Sequence, residues 1–301
     1  MRIMMTGATG HSGKWFIERL KKENFQGSLI CLVREGRDIR YIENSGLDYQ
    51  IIWGDASDES SLLKAMQDVD IVLHIAHISI SPLITQIARK QKISWVILVH
   101  TTGRYSKYKS ASSQYVQIED EILKERDIYP ELDITIIRPT MIYGSQRDAN
   151  MHRLVAYLDK HKFYPIFGEG QNLMQPVHAR DLGNAYYDII LNAEKTKNKE
   201  YNLAGKEPLE YKDLINITSR CLGRKNTLIP IPIKLSILAA KTYNKIFGKK
   251  ALITVEQVLR MQEDKAFSYE EAKQDFGYAP MGFEEGIAEE VMEYRHLKKK
   301  D

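Results

Sequence analysis

Near the start of the chain the octapeptide Thr6-Gly7-Ala8-Thr9-Gly10-His11-Ser12-Gly13 places glycines at every third position. It follows an apolar run that begins at residue 2 and opens a helical pattern over residues 12–22, and that context gives the spacing chemical meaning. Gly7 permits a tight turn, Gly10 lets the backbone approach a pyrophosphate, and Gly13 lets the helix pack on the strand. The helix N-terminus adds unpaired N–H groups and a partial positive charge. With Ala8, Thr9, His11 and Ser12 between the glycines, the turn is expected to cradle a dinucleotide.

The second apolar run, residues 29–33, ends in Arg34, with Arg37 close behind. A site for a free ribose 2′-hydroxyl usually offers an acid at this place, whereas a 2′-phosphate calls for arginine. A guanidinium grips phosphate bidentately and stacks on adenine. NADP is therefore expected in preference to NAD.

These groups need a scaffold. Residues 2–5, 29–33, 49–53, 71–75, 95–100 and 134–137 read as strands alternating with helical patterns, which means a parallel sheet with crossover helices. Asp58 before residues 60–66, and Ser81 followed by Pro82, mark helix starts. The expected fold is α/β, a Rossmann-type doubly wound parallel sheet with a smaller, mostly helical C-terminal substrate lobe. After Arg138-Pro139 the loops lengthen, and helices are expected near 150–161, 181–193, 211–221, 233–247, 254–262 and 284–297. The segment Tyr201-Asn202-Leu203-Ala204-Gly205 reads as one more strand of the first sheet. Domain boundaries follow: 1–145 with a return at 176–205 binds the dinucleotide, while 146–175 and 206–301 form the lobe.

At 301 residues the chain has room for one large α/β domain with an appendage or for two modest domains. A formal charge of +3, with 28% charged residues, carries no polyelectrolyte signal, so nucleic acid is not an implied partner. Lys298, Lys299 and Lys300 read as a solvated tail. Cys31 and Cys221 give neither a disulfide framework nor metal-ligand spacing, so no metal is expected and a reducing cytoplasm fits. Arg2-Ile3-Met4-Met5 reads as a strand rather than a leader, and no run approaches the roughly 18 apolar residues of a membrane span. The nearest approach, residues 228–247, is broken by two prolines and three lysines. Its first part, 228–233, reads as an apolar wall or a lobe-packing segment; residues 234–250 allow peripheral membrane contact as a minor alternative.

Taken in order, these residues resemble the short-chain dehydrogenase/reductase superfamily, in the extended or atypical branch that includes nucleotide-sugar epimerases and reductases. The resemblance covers nearly the whole chain. It includes Gly54-Asp55, with Ala56 beside it, where the family's aspartate bonds adenine, and Asp70-Ile71-Val72-Leu73-His74-Ile75-Ala76-His77, whose Ile75, Ala76 and His77 stretch implies cofactor contact. Thr101-Thr102 matches the family's Ser/Thr pair. Arg138-Pro139-Thr140-Met141-Ile142-Tyr143-Gly144 is similar to the segment beside the nicotinamide, which implicates Pro139 and Met141. Phe167-Gly168-Glu169-Gly170, Gln175-Pro176-Val177-His178-Ala179-Arg180-Asp181-Leu182 and Phe276-Gly277-Tyr278-Ala279-Pro280 match later family segments; His178 is read as a packing residue.

Family catalysis uses a tyrosine and a lysine four positions later, on one helical face, where the cation lowers the phenol pKa. On the corresponding helix, near 112–125, the tyrosine is Tyr115, and Glu119 stands where lysine belongs. Tyr105 and Lys109 have the right spacing but come too soon after Thr102, so they read as an active-site loop and as the weaker catalytic candidates. Thr102 is expected to orient a substrate oxygen and Tyr115 to handle its proton. Residues 171–175 lack the family's diphosphate-binding arginine, which weakens a sugar-nucleotide substrate without removing it. The resemblance thus implies a small-molecule oxidoreductase or epimerase-like enzyme, compatible with a homodimer; the competing reading is a non-catalytic NAD(P)-binding structural or redox-sensing protein.

Overall fold

Every residue of Trp95-Val96-Ile97-Leu98-Val99 is buried, as only a strand covered on both faces can be. In a computed structural model describing residues 1–145, 148, 150–247 and 255–298, this strand lies inside a seven-stranded sheet. The strands are β1 (Arg2–Thr6), β2 (Ser28–Val33), β3 (Asp48–Trp53), β4 (Ile71–His74), β5 (Trp95–Val99), β6 (Asp133–Pro139) and β7 (Glu200–Leu203). All pair in parallel, in the order β7-β6-β5-β4-β1-β2-β3. The Rossmann-type doubly wound sheet expected from the alternation is therefore present, and the order reverses between β1 and β4. A crevice for ligands opens beyond the strand ends at such a point.

Four helices matter most to it: α1 (His11–Lys22), α2 (Ser81–Lys90), α3 (Lys109–Ile128) and α4 (Ala179–Leu191). On one face Phe16, Leu20, Tyr186 and Tyr201 share a core with Ala272, Phe276 and Tyr278. The late segment 269–278, expected among the lobe's residues, thus packs against the sheet. On the other face Leu62, Ile84 and Ile122 fill a second core.

Helices α1 and α4, distant in sequence, touch backbone to backbone. A Cβ at Gly183 would lie 2.5 Å from Trp15 Cβ and 2.6 Å from the Phe16 nitrogen, so only glycine permits this approach. The Ser12 and Tyr186 hydroxyls are 3.0 Å apart across the contact, and Arg19 reaches Asp188 at 3.3 Å. A residue from the second half of the chain thereby fixes the helix whose N-terminus forms the glycine turn.

The lobe has its own core of Leu154, Leu158, Leu214, Ile287 and Val291. It holds strands that the composition did not announce: Phe163–Phe167 pairs in parallel with Thr227–Ile231, and Leu173–Met174 pairs antiparallel with Leu209–Glu210. The stretch read as an apolar wall or packing segment is therefore largely a strand. Lys298 is ion-paired to Asp159 at 2.6 Å instead of being a free tail, whereas Lys299 and Lys300 lie outside the described residues, as do 248–250 of the basic stretch. Among the described residues no helix is long and apolar enough to cross a membrane.

Candidate functional site

The turn after β1 is closed by its own backbone. Gly7 takes φ +74°, and its carbonyl accepts from the Gly10 N–H at 2.8 Å. A Cβ on Gly10 would sit 2.9 Å from that carbonyl oxygen and one on Gly13 2.2 Å from it, so both positions exclude larger residues. Helix α1 begins without a side-chain cap at Gly10, which leaves its first-turn N–H groups open to an anion. Tyr41 braces the turn by donating to the Ala8 carbonyl.

Behind the turn, Thr6 is held by a buried histidine. His74 Nε2 lies 3.3 Å from the His77 carbonyl, which can only accept, so Nδ1 accepts from the Thr6 hydroxyl at 2.8 Å. Thr6 Oγ1 in turn accepts from the Ala76 N–H at 3.3 Å, joining the ends of β1 and β4. Burial pushes His74 down to about 3, so it is neutral here.

A groove of about 470 Å³ runs over this junction. It collects the sequence-derived residues Gly7, Thr9, Gly10, His11, Ser12, Arg34, Arg37, Asp55, Ala56, Ile75, Ala76 and His77 into one wall. Ala8 and Gly13 are buried beneath it. Arg34 and Arg37 are exposed at its rim, and neither is in an ion pair among the described residues. Asp55 accepts from Ser57 N–H at 2.8 Å and Ser57 Oγ at 2.7 Å; these bonds, then the charge of Arg34, hold its carboxyl below the usual range. The glycine cradle, open helix end and two guanidinium groups fit a dinucleotide.

Beyond β5, Thr101 and Tyr115 flank Gly103. A Cβ on Gly103 would be 3.2 Å from both Tyr115 Cε2 and Thr101 Oγ1. Thr101 Oγ1 accepts from Gly103 N–H at 3.0 Å, which leaves its proton available. Thr102, read as the residue that orients substrate, is buried and donates to the Pro139 carbonyl at 3.2 Å, tying β5 to β6. Met141 lines a cavity in the lobe, and it is its neighbour Ile142 that reaches the groove.

One helical turn past Tyr115, the side chain of Glu119 is fully buried. Its Oε2 accepts from His100 Nδ1 at 2.9 Å, and its Oε1 accepts from Arg138 Nε at 2.7 Å and from Arg104. Since a carboxylate only accepts, His100 Nδ1 carries the proton and Nε2 accepts from Ser81 Oγ at 3.2 Å. Arg138 also pairs with Glu200, which Arg126 meets at 3.3 Å, while Arg104 meets Asp120 at 3.3 Å. Three carboxylates thus face three guanidinium groups. The carboxylate that stands where the lysine was expected is thus no bare charge: it is neutralised by Arg138 and Arg104 and turned into the protein.

Tyr105 belongs to this network. Its hydroxyl accepts from Arg138 Nη1 at 3.0 Å and donates to Asn202 Oδ1 at 3.1 Å, and its ring lies 5.2 Å from that of Phe267. The following loop is pinned to the lobe by Ser106 and the Lys107 N–H on Glu263, and by Ser110 on Glu256. Lys109 is exposed at the start of α3, away from the groove-lining residues. Sequence reasoning missed His100, Arg104 and Glu200. A signal existed: Glu119 lies three residues before buried Ile122, hence on the inward face, and Arg138 interrupts an apolar strand, so each required a partner.

On the lobe side, helix α5 (Phe283–Lys298) sends Glu290 to the Gly144 N–H, with Oε2 2.9 Å away. Burial, reinforced by nearby Asp148, pushes Glu290 up to about 8. His178 packs edge-on against Tyr143, and its Nδ1 accepts from Arg180 N–H at 3.1 Å. Burial, then Arg180, pushes His178 down to about 3.

Sheet order and glycine groove define a dinucleotide-binding α/β protein. Residues 7–162, more than half of the chain, match the NAD(P)H-binding family, and the chain belongs to it, within the extended, epimerase-like branch of the short-chain dehydrogenases/reductases. It is 25% identical over 170 residues to short-chain dehydrogenase/reductase family 42E member 1 of Mus musculus, covering 52% of this chain and 42% of that protein. It is 26% identical over 195 residues to the N-acetyl-alpha-D-glucosaminyl-diphospho-ditrans,octacis-undecaprenol 4-epimerase of Escherichia coli O157:H7, covering 60% and 56%. The chain thus spans about half the length of these curated relatives. UDP-glucuronic acid 4-epimerase from Bacillus cereus, solved in complex with NAD, shares the fold at a TM-score of 0.75 and 18% identity, over 100% of this chain and 99% of that one.

Two predictions follow from the buried charges. Unfolded histidines take up protons near pH 6.5, but His74, His100 and His178 stay neutral in the fold down to about 3, so stability falls as pH drops through that window. Glu290 acts oppositely: protonated in the fold up to about 8 but ionised near 4.5 when unfolded, it lowers stability as pH rises toward 8. Asp181, raised by burial to about 6, opposes the histidines only partly. Urea midpoints are expected to peak between about pH 6 and 7, with the alkaline decline reduced in Glu290→Gln; a flat profile from about pH 5 to 8 contradicts the assignment. Glu119→Lys, which restores the family lysine, places a third cation against Arg104 and Arg138 and is expected to cost at least about 3 kcal/mol in denaturant unfolding. A variant as stable as the parent would show the network to be dispensable.

Proposed function

We propose that this protein is an NADP(H)-dependent oxidoreductase acting on a small carbonyl or alcohol, with the substrate in the lobe cavity that borders the groove. The observation that carries it is the nearness of Thr101 and Tyr115 beyond the end of β5, Thr101 Oγ1 and Tyr115 Cε2 each lying 3.2 Å from the point a Cβ on Gly103 would occupy. In this reading the turn from Gly7 to Gly13 and the start of α1 hold the pyrophosphate, Asp55 meets the adenine, and Arg34 with Arg37 grips a 2′-phosphate. The bound nicotinamide supplies or accepts the hydride. Thr101 donates to the substrate oxygen and Tyr115 Oη exchanges its proton. Thr102 acts one step back, holding β5 to β6.

Support for NADP comes from the two rim guanidinium groups, neither of which is in an ion pair among the described residues. A cytoplasmic setting belongs to the same proposal and is supported by two free cysteines, one of them buried. The second reading, a non-catalytic protein that senses or is stabilised by the dinucleotide, is favoured by one observation: Glu119, locked under two arginines, occupies the family's lysine position. Under that reading NADPH binds but is not consumed with any carbonyl or sugar-nucleotide substrate.

Titration calorimetry on Arg34→Ala is expected to weaken NADP binding tenfold or more while leaving NAD within about twofold, since only the former presents the extra phosphate. Equal losses for both cofactors would remove Arg34 from phosphate recognition. Tyr115→Phe is expected to lower turnover at least about a hundredfold, the scale of one lost acid–base group, with NADP affinity retained. An unaffected rate would exclude Tyr115, and no NADPH oxidation by the parent protein would support the non-catalytic reading.

A further inference from the structure

The lobe contains a cavity of about 520 Å³ lined by Met141, whose chain neighbour Ile142 lines the cofactor groove. Its walls are mainly apolar. Met141, Met151, Met174 and Met261 contribute four flexible thioethers, joined by Leu154 and Phe167. Methionine surfaces adapt to the outline of an apolar ligand.

The polar lining residues are neutral, Asn150, Asn172, Tyr157, Tyr164 and Tyr211, or cationic, Arg153 and Lys265. The hydroxyls of Tyr164 and Tyr211 are 2.8 Å apart and satisfy each other. Among the described residues no aspartate or glutamate lines the space, yet Lys265 does, and Arg153 stands at its exposed edge. The Lys265 backbone is fixed, its N–H donating to the Leu173 carbonyl at 2.7 Å beside the bridge to Met174. Among the described residues neither the Lys265 ammonium nor the Arg153 guanidinium is in a salt bridge or a hydrogen bond. Burial, and then the charge of Arg260, pushes Lys265 below its ordinary pKa, against a smaller opposing pull from Glu263, which is not within ion-pair distance among the described residues.

We infer that the cavity binds an amphipathic monoanion, an apolar body carrying one acidic head group, and that Lys265, assisted by Arg153, receives that head. This inference rests on the reading that the lobe cavity holds the substrate. A ligand hydroxylated along its whole length would leave the donors that face the four methionines and Leu154 unmatched, at a cost for each such group. An apolar chain loses nothing there, and an acid head supplies the charge Lys265 lacks. The head anchored at Lys265 leaves the body to extend along the methionine wall toward Met141, and therefore toward the groove.

The probes are 8-anilinonaphthalene-1-sulfonate and N-phenyl-1-naphthylamine, which share an apolar body and differ by the sulfonate. Binding to the full chain is followed by fluorescence for the parent, Lys265→Met, Lys265→Arg and Arg153→Ala. Lys265→Met is expected to weaken the sulfonate at least tenfold while leaving the amine within twofold, Lys265→Arg to retain both, and Arg153→Ala to weaken the sulfonate less than Lys265→Met does. Absence of sulfonate binding by the parent, no effect of Lys265→Met, or equal weakening of both probes would overturn the inference, the last result marking Lys265 as a packing residue. In parallel, NADPH consumption is measured with 9-oxodecanoate and its methyl ester. Preference for the acid that disappears in Lys265→Met supports the inference, and equal use of acid and ester opposes it. Selective sulfonate binding with neither compound reduced would leave the anion site standing and sink the oxidoreductase reading.

Discussion

A carboxylate with no access to water, Glu119, ties together three neighbouring strands. Left unpaired, such a charge would cost several kcal/mol. Its partners come from the end of β5 (His100), from the turn that follows (Arg104) and from within β6 (Arg138), and Arg138 extends the chain of pairs to Glu200 on β7. Tyr105 is drawn in because Arg138 has a donor left for its hydroxyl. The position of α3, and hence of Tyr115 one turn earlier, follows from satisfying this one charge. In the family pattern the same helical position faces the cofactor with a lysine; here the protein has turned it into a structural tie.

The groove depends on a different constraint, the closeness of backbones. Gly10 and Gly13 are required by the Gly7 carbonyl and Gly183 by Trp15 and Phe16, so the turn is compressed from within and from behind. The two devices are spatially separate, one under the strand ends at β5 to β7 and one at the β1–β4 junction. Binding of a dinucleotide and transfer of a proton can therefore diverge independently. The glycine turn keeps the expected spacing, while one turn past Tyr115 the helix carries a buried carboxylate bonded to His100, Arg104 and Arg138.

What could be read from the sequence follows the same division. A glycine turn, an arginine at a strand end and an alternation of apolar runs are local patterns, and each appears in the fold where periodicity put it: the seven parallel strands, the N-terminus of α1 and the wall containing Arg34 and Ala76. Pairings over long separations leave no such trace. Nothing near Glu119 announces that Arg138, nineteen positions away, completes its coordination. Thr101 and Thr102 are adjacent and chemically identical, so only the backbone geometry decides which one donates to Pro139 and which faces Tyr115. The lobe strands escaped for a related reason: Pro165 and Pro230 sit within the pair Phe163–Phe167 and Thr227–Ile231, where proline ordinarily argues against a strand, and a two-stranded edge tolerates it.

The chain passes from the lining of the lobe cavity, at Met141, to that of the groove, at Ile142, in a single residue step. Ile142 pairs with Val177 in the short bridge that leads into α4, so the segment carrying Met141 and Ile142 is held by the same helix that packs against the glycine turn. Any ligand filling the lobe cavity presses on Met141, and any dinucleotide in the groove lies against Ile142. The backbone between them is short and hydrogen-bonded, with Val177 N–H donating to the Met141 carbonyl at 2.9 Å, so the two sites share one wall instead of being joined by a flexible linker. Such a wall fixes the lining of one cavity relative to that of the other by rigid geometry, so that a shift of α4 would move Met141 and Ile142 together.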